Sequence, residues 1–410
     1  MLVAAVTVSL LGCSTANPRG TSGEADLSEQ MLLRDTDSLV PLAAITKAQL
    51  QEDLILLRYA LTHGYAGRDH IAPGAFQAAL SSIAALGESV GAALPTSELL
   101  ERLTDILWPL PDSHLLVGVA GKRDLGTARR LSLIKAGVGP NLCQRTDRPW
   151  EVGSVSVSGR DIPFIAFGAF PYHESPVWKG FPEAYAKVLK ASPPAIILDF
   201  RGNEGGDNTW GMRLAQELFG QDIPPAVKAR HFSQTPATFA LSANNWKLEI
   251  LMARKKGRTP EAYAQKNLDY LLTKLSEARR GRLPPERVER WDQPRPDLAK
   301  MYQGLVVLLA DRQSGSSGES LIPVLRPLPR MSFVGENTWG AIEYGDVGGI
   351  WMHNSQIFVS MATDYWEHWD GRGHEKTGWE PDLRLASGQD ALDAAKGLIA
   401  DHLLGQPPTP

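Results

Sequence analysis

Leu305-Val306-Val307-Leu308-Leu309-Ala310 passes through a short polar break into Ser314-Gly315-Ser316-Ser317-Gly318-Glu319, and a short apolar helical stretch follows. A continuous apolar run that ends in a polar, glycine-rich turn is the pattern of a strand buried on both faces and feeding a loop. The same pattern stands upstream, where Ala195-Ile196-Ile197-Leu198-Asp199-Phe200 leads into Arg201-Gly202-Asn203-Glu204-Gly205-Gly206-Asp207. Leu115-Leu116-Val117-Gly118-Val119 and Pro163-Phe164-Ile165-Ala166-Phe167 read as further strands. From Pro109 onward the chain is therefore expected to be mixed α/β, with its site in the loops at the carboxyl ends of the buried strands.

Both loops carry usable chemistry. A serine where a strand turns into a helix has backbone N–H groups at a helix N-terminus, where the dipole favours a developing negative charge. Ser314, Ser316, Ser317 and Ser320 all crowd that turn. Each could equally cap the helix, so the turn alone does not choose among them. In the other loop, the Gly205-Gly206 pair lets the backbone point N–H groups at a ligand oxygen, as an oxyanion hole requires.

Working outward, Leu50, Leu54, Leu57, Ala60 and Leu61 recur at helical spacing, as do Phe76, Ala79, Leu80, Ile83 and Leu86. Leu99, Leu100, Leu103, Ile106 and Leu107 make a third helix, so residues 45–108 are expected to form a helical module ahead of the first strand. Residues 235–300 read as a basic, helix-prone insertion in a core spanning 109–400, with Ala253-Arg254-Lys255-Lys256-Gly257-Arg258 its sharpest feature. Across 410 residues, 42 Lys+Arg against 46 Asp+Glu leave a net charge of −4, so no nucleic-acid partner is expected. No glycine-rich phosphate loop with a following lysine and no His/Cys cluster at metal spacing occurs, so neither a metal nor an organic cofactor is expected.

The first residues have a character of their own. Leu2 to Gly12 is an apolar run too short to span a bilayer and reads as the core of an export signal. Leu10-Leu11-Gly12-Cys13 resembles a bacterial lipobox, although no Lys or Arg precedes the run. The resemblance implies a signal peptide over 1–13, lipid on Cys13 and, with Ser14 following, a place on the periplasmic face of the outer membrane. Residues 14–44 are then expected to be a flexible linker. Cys143, left without a partner, reads as a small core residue.

Several blocks, in order, resemble one known family. His63-Gly64-Tyr65 precedes Leu110-Pro111-Asp112-Ser113-His114, then come the Asp199–Gly206 and Ser314–Glu319 loops. Val334-Gly335-Glu336-Asn337-Thr338-Trp339-Gly340 and Gly378-Trp379-Glu380-Pro381-Asp382 follow. Together they are similar to the carboxy-terminal processing (tail-specific) serine peptidases, relatives of the tricorn core protease and of interphotoreceptor retinoid-binding protein. The resemblance implies a β/α spiral core like that of crotonase and the caseinolytic protease. It also selects Ser316 as nucleophile, three residues before Glu319, with Ser317 and the Gly205-Gly206 pair supplying the oxyanion N–H groups. Glu204 stands where a third glycine is usual.

One branch of that family uses a lysine base twenty-five residues after the nucleophile, and that position here is Ala341. The tricorn-like branch uses a histidine with a serine just before it and a late glutamate, which implies His114, Ser113 and Glu375, with Glu380 and His374 as competitors for the last place. Residues 115–195 are too few for the PDZ domain common in the tail-specific branch. The expectation is a lipid-anchored serine endopeptidase acting on peptides or unfolded proteins. The alternative is a catalytically inactive lipoprotein binding peptides or apolar ligands on the same scaffold.

Overall fold

The computed structural model describes residues 26–405 apart from 120–123, 133–136, 222, 224–226, 293–296 and 387, and apart from the side chains of 129–131. Cys13 and the run before it lie outside the described residues. Strand β1 (Ala44–Thr46) leads into helices α1 (Lys47–His63) and α2 (Pro73–Ser89); β2 (Ala93–Pro95) pairs antiparallel with β1 and leads into α3 (Thr96–Leu107). The three helices expected from the apolar spacing form, the first two behind clear start signals. Thr46 and Gln49 close a capping box at α1, and Pro73 opens α2. The two short strands were not expected.

Next come β3 (Leu116–Gly118), α4 (Leu125–Ser132), the antiparallel hairpin β4 (Trp150–Val157) and β5 (Arg160–Phe167), α5 (Phe181–Lys190), β6 (Ala195–Asp199) and α6 (Thr209–Phe219). Strand β7 (Val227–Ser233) follows, and the insertion then comprises α7 (Pro236–Lys255), α8 (Ala262–Arg279) and β8 (Glu286–Arg290). The chain closes with β9 (Leu305–Ala310), α9 (Ser317–Leu325), β10 (Met331–Gly335), β11 (Tyr344–Trp351), β12 (Phe358–His368), β13 (Leu383–Arg384) and α10 (Ala391–Leu403).

The main sheet has the order β13-β10-β9-β6-β5-β4, parallel throughout except for the β4 edge. Alternate residues of β6 and β9 enter two different cores. Ile196, Leu198, Val306 and Leu308 face Leu214, Leu218, Leu321 and Ile322 of α6 and α9; Ile197, Val307 and Leu309 face Ala391, Ala395 and Ile399 of α10. Helices on both faces leave no wet side, which is why β9 is apolar at every position and β6 at every position but its last, Asp199.

The second sheet is antiparallel and centred on β12, which pairs with β11 along one edge and with β3 and β7 along the other. Its core is continuous with the N-terminal helices, since Leu57, Ala60, Ala240, Leu241, Ile350, Val359 and Met361 belong to one cluster. The described part of the insertion is thus tied into this core rather than left in solvent. Helix α7 packs between α1 and β11, and β8 extends the sheet by pairing with β7.

The flexible linker expected over 14–44 is also corrected where the chain is described. Met31, Leu33 and Leu39 are buried, the Leu33 N–H donates to Asn244 Oδ1 (2.7 Å), and the Leu39 N–H donates to Gln356 Oε1 (2.9 Å). Three buried side chains of leucine size are enough apolar area to hold a polar segment down as a strap.

Candidate active site

Strand β9 delivers its last residues to a knot of hydrogen bonds. Asp311 Oδ1 accepts from the N–H groups of Gly202 (3.0 Å), Gln313 (2.9 Å) and Ser314 (3.0 Å), which ties the two strand-end loops together. In the neighbouring loop Arg201 grips Asp199 with two parallel bonds (3.0 and 2.7 Å) in a fully buried pair and also donates to the Val138 carbonyl. That fork geometry fixes where the Gly202–Gly206 turn leaves the sheet.

The knot separates the four serines. Ser314 is fully buried and its hydroxyl donates to the Phe200 carbonyl (2.8 Å). Ser317 donates to the Gly206 carbonyl (2.5 Å) and Ser320 to the Ser317 carbonyl (3.1 Å). Ser316 alone sits at φ 52°, ψ −125°, at the N-cap of α9, with no carbonyl taking its hydroxyl proton among the described residues. Such a conformation costs on the order of 1–3 kcal/mol for a residue with a Cβ, and it turns the side chain outward at the strand-to-helix corner.

The strain is held by Glu319. Its carboxylate is fully buried and accepts from the N–H groups of Ser316 (3.1 Å) and Ala341 (2.7 Å) on one oxygen, and from the Gly340 N–H (3.0 Å) and the Thr338 hydroxyl on the other. Burial lifts its pKa to about 7 against the four bonds, which pull the other way.

Gly205 and Gly206 adopt φ of 104° and 122°. A Cβ on Gly205 would lie 2.7 Å from Ser316 Cβ and 2.9 Å from the Gly315 carbonyl oxygen, so the backbone passes directly against the Ser316 turn. The Gly205 N–H, however, donates to Asn203 Oδ1 (2.9 Å). Of the three groups expected to form the oxyanion hole, the Gly205 N–H is therefore already committed, while no hydrogen bond of the Gly206 or Ser317 N–H is seen among the described residues. Ser317 begins α9, so its N–H is one of those a helix leaves unpaired.

His114 and Ser316 line one cavity of about 570 Å³, together with Ser113, Glu204, Trp339 and Ala341. The position that a lysine would occupy in the other branch is thus an alanine in the cavity wall. His114 Nδ1 is buried without a hydrogen bond among the described residues. Burial pushes the imidazole below its usual 6.5, opposed by the Asp112 carboxylate and the Tyr344 backbone. Ser113 does not turn toward His114, because its hydroxyl donates to the Gly340 carbonyl (2.8 Å). Glu375 accepts from the N–H groups of Ser113 (2.6 Å), Ile342 (3.1 Å) and Glu343 (3.0 Å). Its two competitors lie elsewhere: His374 pairs with Asp370 (2.7 Å), and exposed Glu380 faces Arg384 (3.8 Å).

The model of peptidase family S41 matches residues 163–385, more than half of the chain. The chain belongs to peptidase family S41. It is a serine-type peptidase, a hydrolase, on the α/β fold of the carboxy-terminal processing peptidases. Three solved structures share that fold at 14% identity. A protein from Parabacteroides merdae covers 87% of this chain and 97% of its own at a TM-score of 0.51. Mature CPAF gives 87%, 98% and 0.52, and mature CPAF complexed with lactacystin gives 88%, 99% and 0.51. No curated protein sequence matches the chain.

Two buried carboxylates of this S41 peptidase have no role in the sequence pattern, where Glu319 serves only as a motif marker. Asp112, fully buried, accepts the His114 backbone N–H (2.7 Å) and so sets the angle at which the histidine leaves the chain. Burial raises both Asp112 and Glu375 above the usual carboxylate range, and the Asp112 charge adds to the rise at Glu375. The signal for Asp112 lay in the Leu110–His114 block, where an Asx turn two residues before the histidine follows from the residue type.

Proposed function

We propose that the protein is an endopeptidase of the Ser/His branch, in which Ser316 attacks the scissile carbonyl and His114 takes its proton and returns it to the leaving amine. The observation that carries the reading is the strained Ser316 at the head of α9, sharing a cavity with a buried, neutral-leaning imidazole. The Gly206 and Ser317 N–H groups would stabilise the oxyanion. Ser113 and Glu375 would act as positioning residues that fix the peptide plane before His114. The open cavity and the short 115–195 segment favour peptides and unfolded proteins as substrates over a strict demand for a free C-terminus.

The reading extends to location. Leu10-Leu11-Gly12-Cys13 supports lipid on Cys13, which would hold the enzyme to the periplasmic face of the outer membrane. Among the described residues, no helix is long and apolar enough to cross a membrane.

A fluorophosphonate probe tests the chemistry. It should label the wild type at Ser316, and Ser316→Ala should lose the label. Ser314→Ala and Ser320→Ala should keep it, since those hydroxyls serve backbone carbonyls. Labelling that survives in Ser316→Ala would refute the assignment.

A further inference from the structure

The far half of β12 carries a second cluster. His231 in β7 lies directly opposite Tyr365 in β12 and Val288 in β8, so Glu367 and Glu286, each two residues along, share its face of the sheet. The turn after α1 lowers His70 onto that face. Its ring stacks on Tyr365 (centroids 3.8 Å, planes 15° apart) and meets His231 edge-on at 5.1 Å.

The two nitrogens of His231 both face carboxylates. Nε2 lies 2.9 Å from Glu367 Oε1, and Nδ1 lies 3.1 Å from Glu286 Oε1. A neutral imidazole has one N–H, so it satisfies one of these and turns a lone pair toward the other. Lys228 Nζ takes the second oxygen of Glu367 (3.3 Å), which leaves Glu367 as the natural acceptor for Nε2–H. Nδ1 then presents its lone pair toward Glu286 and His70. One ligand atom from each of His70, His231 and Glu286 lies within 4.8 Å of the others.

We propose that His70, His231 and Glu286 bind a divalent ion of the zinc class, with Glu367 holding His231 in the ligating tautomer. Two imidazole nitrogens and a carboxylate suit Zn²⁺, and water completes a tetrahedron. Bonds of about 2.0–2.2 Å at tetrahedral angles place ligand atoms roughly 3.3 Å apart, so the cluster must tighten by an ångström or so. Glu286, half-exposed at the start of an edge strand, is free to supply that movement. The Glu367–His231–metal arrangement is the usual way a protein orients a ligating histidine.

The three ligands come from the N-terminal helical module, from β7 and from the start of β8, so the ion would clamp the module to the insertion. The site is separate from the peptidase cavity, which meets β12 at its other end through Phe358 and Ser360. Its ligands are far apart in sequence, which is why spacing gave no sign of a metal.

Zinc chloride titrated into the untagged full-length protein, in competition with a chromophoric chelator at neutral pH, tests the site. One equivalent should bind in the micromolar range or tighter and should raise the unfolding temperature. Removing the outer partner with Glu367→Gln should weaken binding by about 10–100-fold. Glu286→Gln and His70→Gln should weaken it at least as much, while His374→Ala, a histidine elsewhere on the molecule, should leave it unchanged. Circular dichroism keeps loss of folding distinct from loss of a ligand. No binding at micromolar zinc, or unaltered affinity in either Glu286→Gln or His70→Gln, would overturn the proposal.

Discussion

Replacing Glu319 with glutamine changes one atom type in a fully buried group, and the outcome should depend on pH in a definite direction. The carboxylate meets four donors, two on each oxygen. A glutamine amide nitrogen fits best on the Thr338–Gly340 side. The Thr338 hydroxyl accepts one bond from the Trp379 N–H (2.7 Å) and has a second lone pair for the amide. Two donors then lose their acceptor: the Gly340 N–H, orphaned at a cost of about 1–3 kcal/mol, and the Thr338 O–H, whose proton is free to rotate about its C–O bond. Against this stands the cost of burying the charge. With its pKa lifted from 4.5 to about 7, the folded protein holds this proton more tightly than the unfolded chain does. The stability it contributes is therefore complete below 4.5 and is lost as pH rises through about 7. At about 1.36 kcal/mol per pH unit, that interval amounts to roughly 3 kcal/mol. Glu319→Gln does not titrate, so its penalty should be about 1–3 kcal/mol near pH 5 and should shrink to nothing or reverse above pH 8. Urea unfolding of both proteins at the two pH values, with equal m-values as the check on comparable unfolding, measures this directly. A penalty that grows with pH would show that the four donors outweigh burial and that Glu319 works as an ion.

The proton-transfer assignment predicts that His114→Ala loses about 10²–10⁴ in kcat/KM and that Ala341→Lys gains nothing. Because burial lowers His114, the ascending limb of the pH profile should fall below 6.5, and a limb near the lysine range would refute a histidine base. Gly205→Ala should abolish probe labelling, since its Cβ would meet Ser316 Cβ at 2.7 Å at a φ of 104°; retained labelling would show that the two loops are not in contact. Cys13→Ala should move the protein from the membrane fraction to the soluble periplasm, and a wild type already soluble would count against the lipid anchor.

What could be read in advance follows the range of the forces involved. Strands β6 and β9 announced themselves because burial on both faces leaves a continuous apolar run, and α1 to α3 because one buried face leaves a helical period. The choice of Ser316 among four serines could not come from local sequence. Ser314 is excluded by a carbonyl 114 residues away, and Ser317 by one 111 residues away. Glu375 was separated from Glu380 only by where the chain folded, its bond to Ser113 spanning 262 residues. The strap over 26–44 was hidden for a compositional reason. Its few leucines are diluted by polar residues, and the surface that buries them belongs largely to α7 and to the turn between β11 and β12.

The backbone of Ser316 has a consequence for how such an enzyme can change over generations. A side chain at φ 52° is tolerated there only because the Asp311 knot and Glu319 leave the turn no other shape. Glycine would occupy the same turn without the steric penalty. The residue proposed as the nucleophile is thus one that selection for a robust fold alone would discard. A lineage relieved of the need to cut peptide bonds should drift toward glycine at this corner and gain thermal resistance as it falls silent.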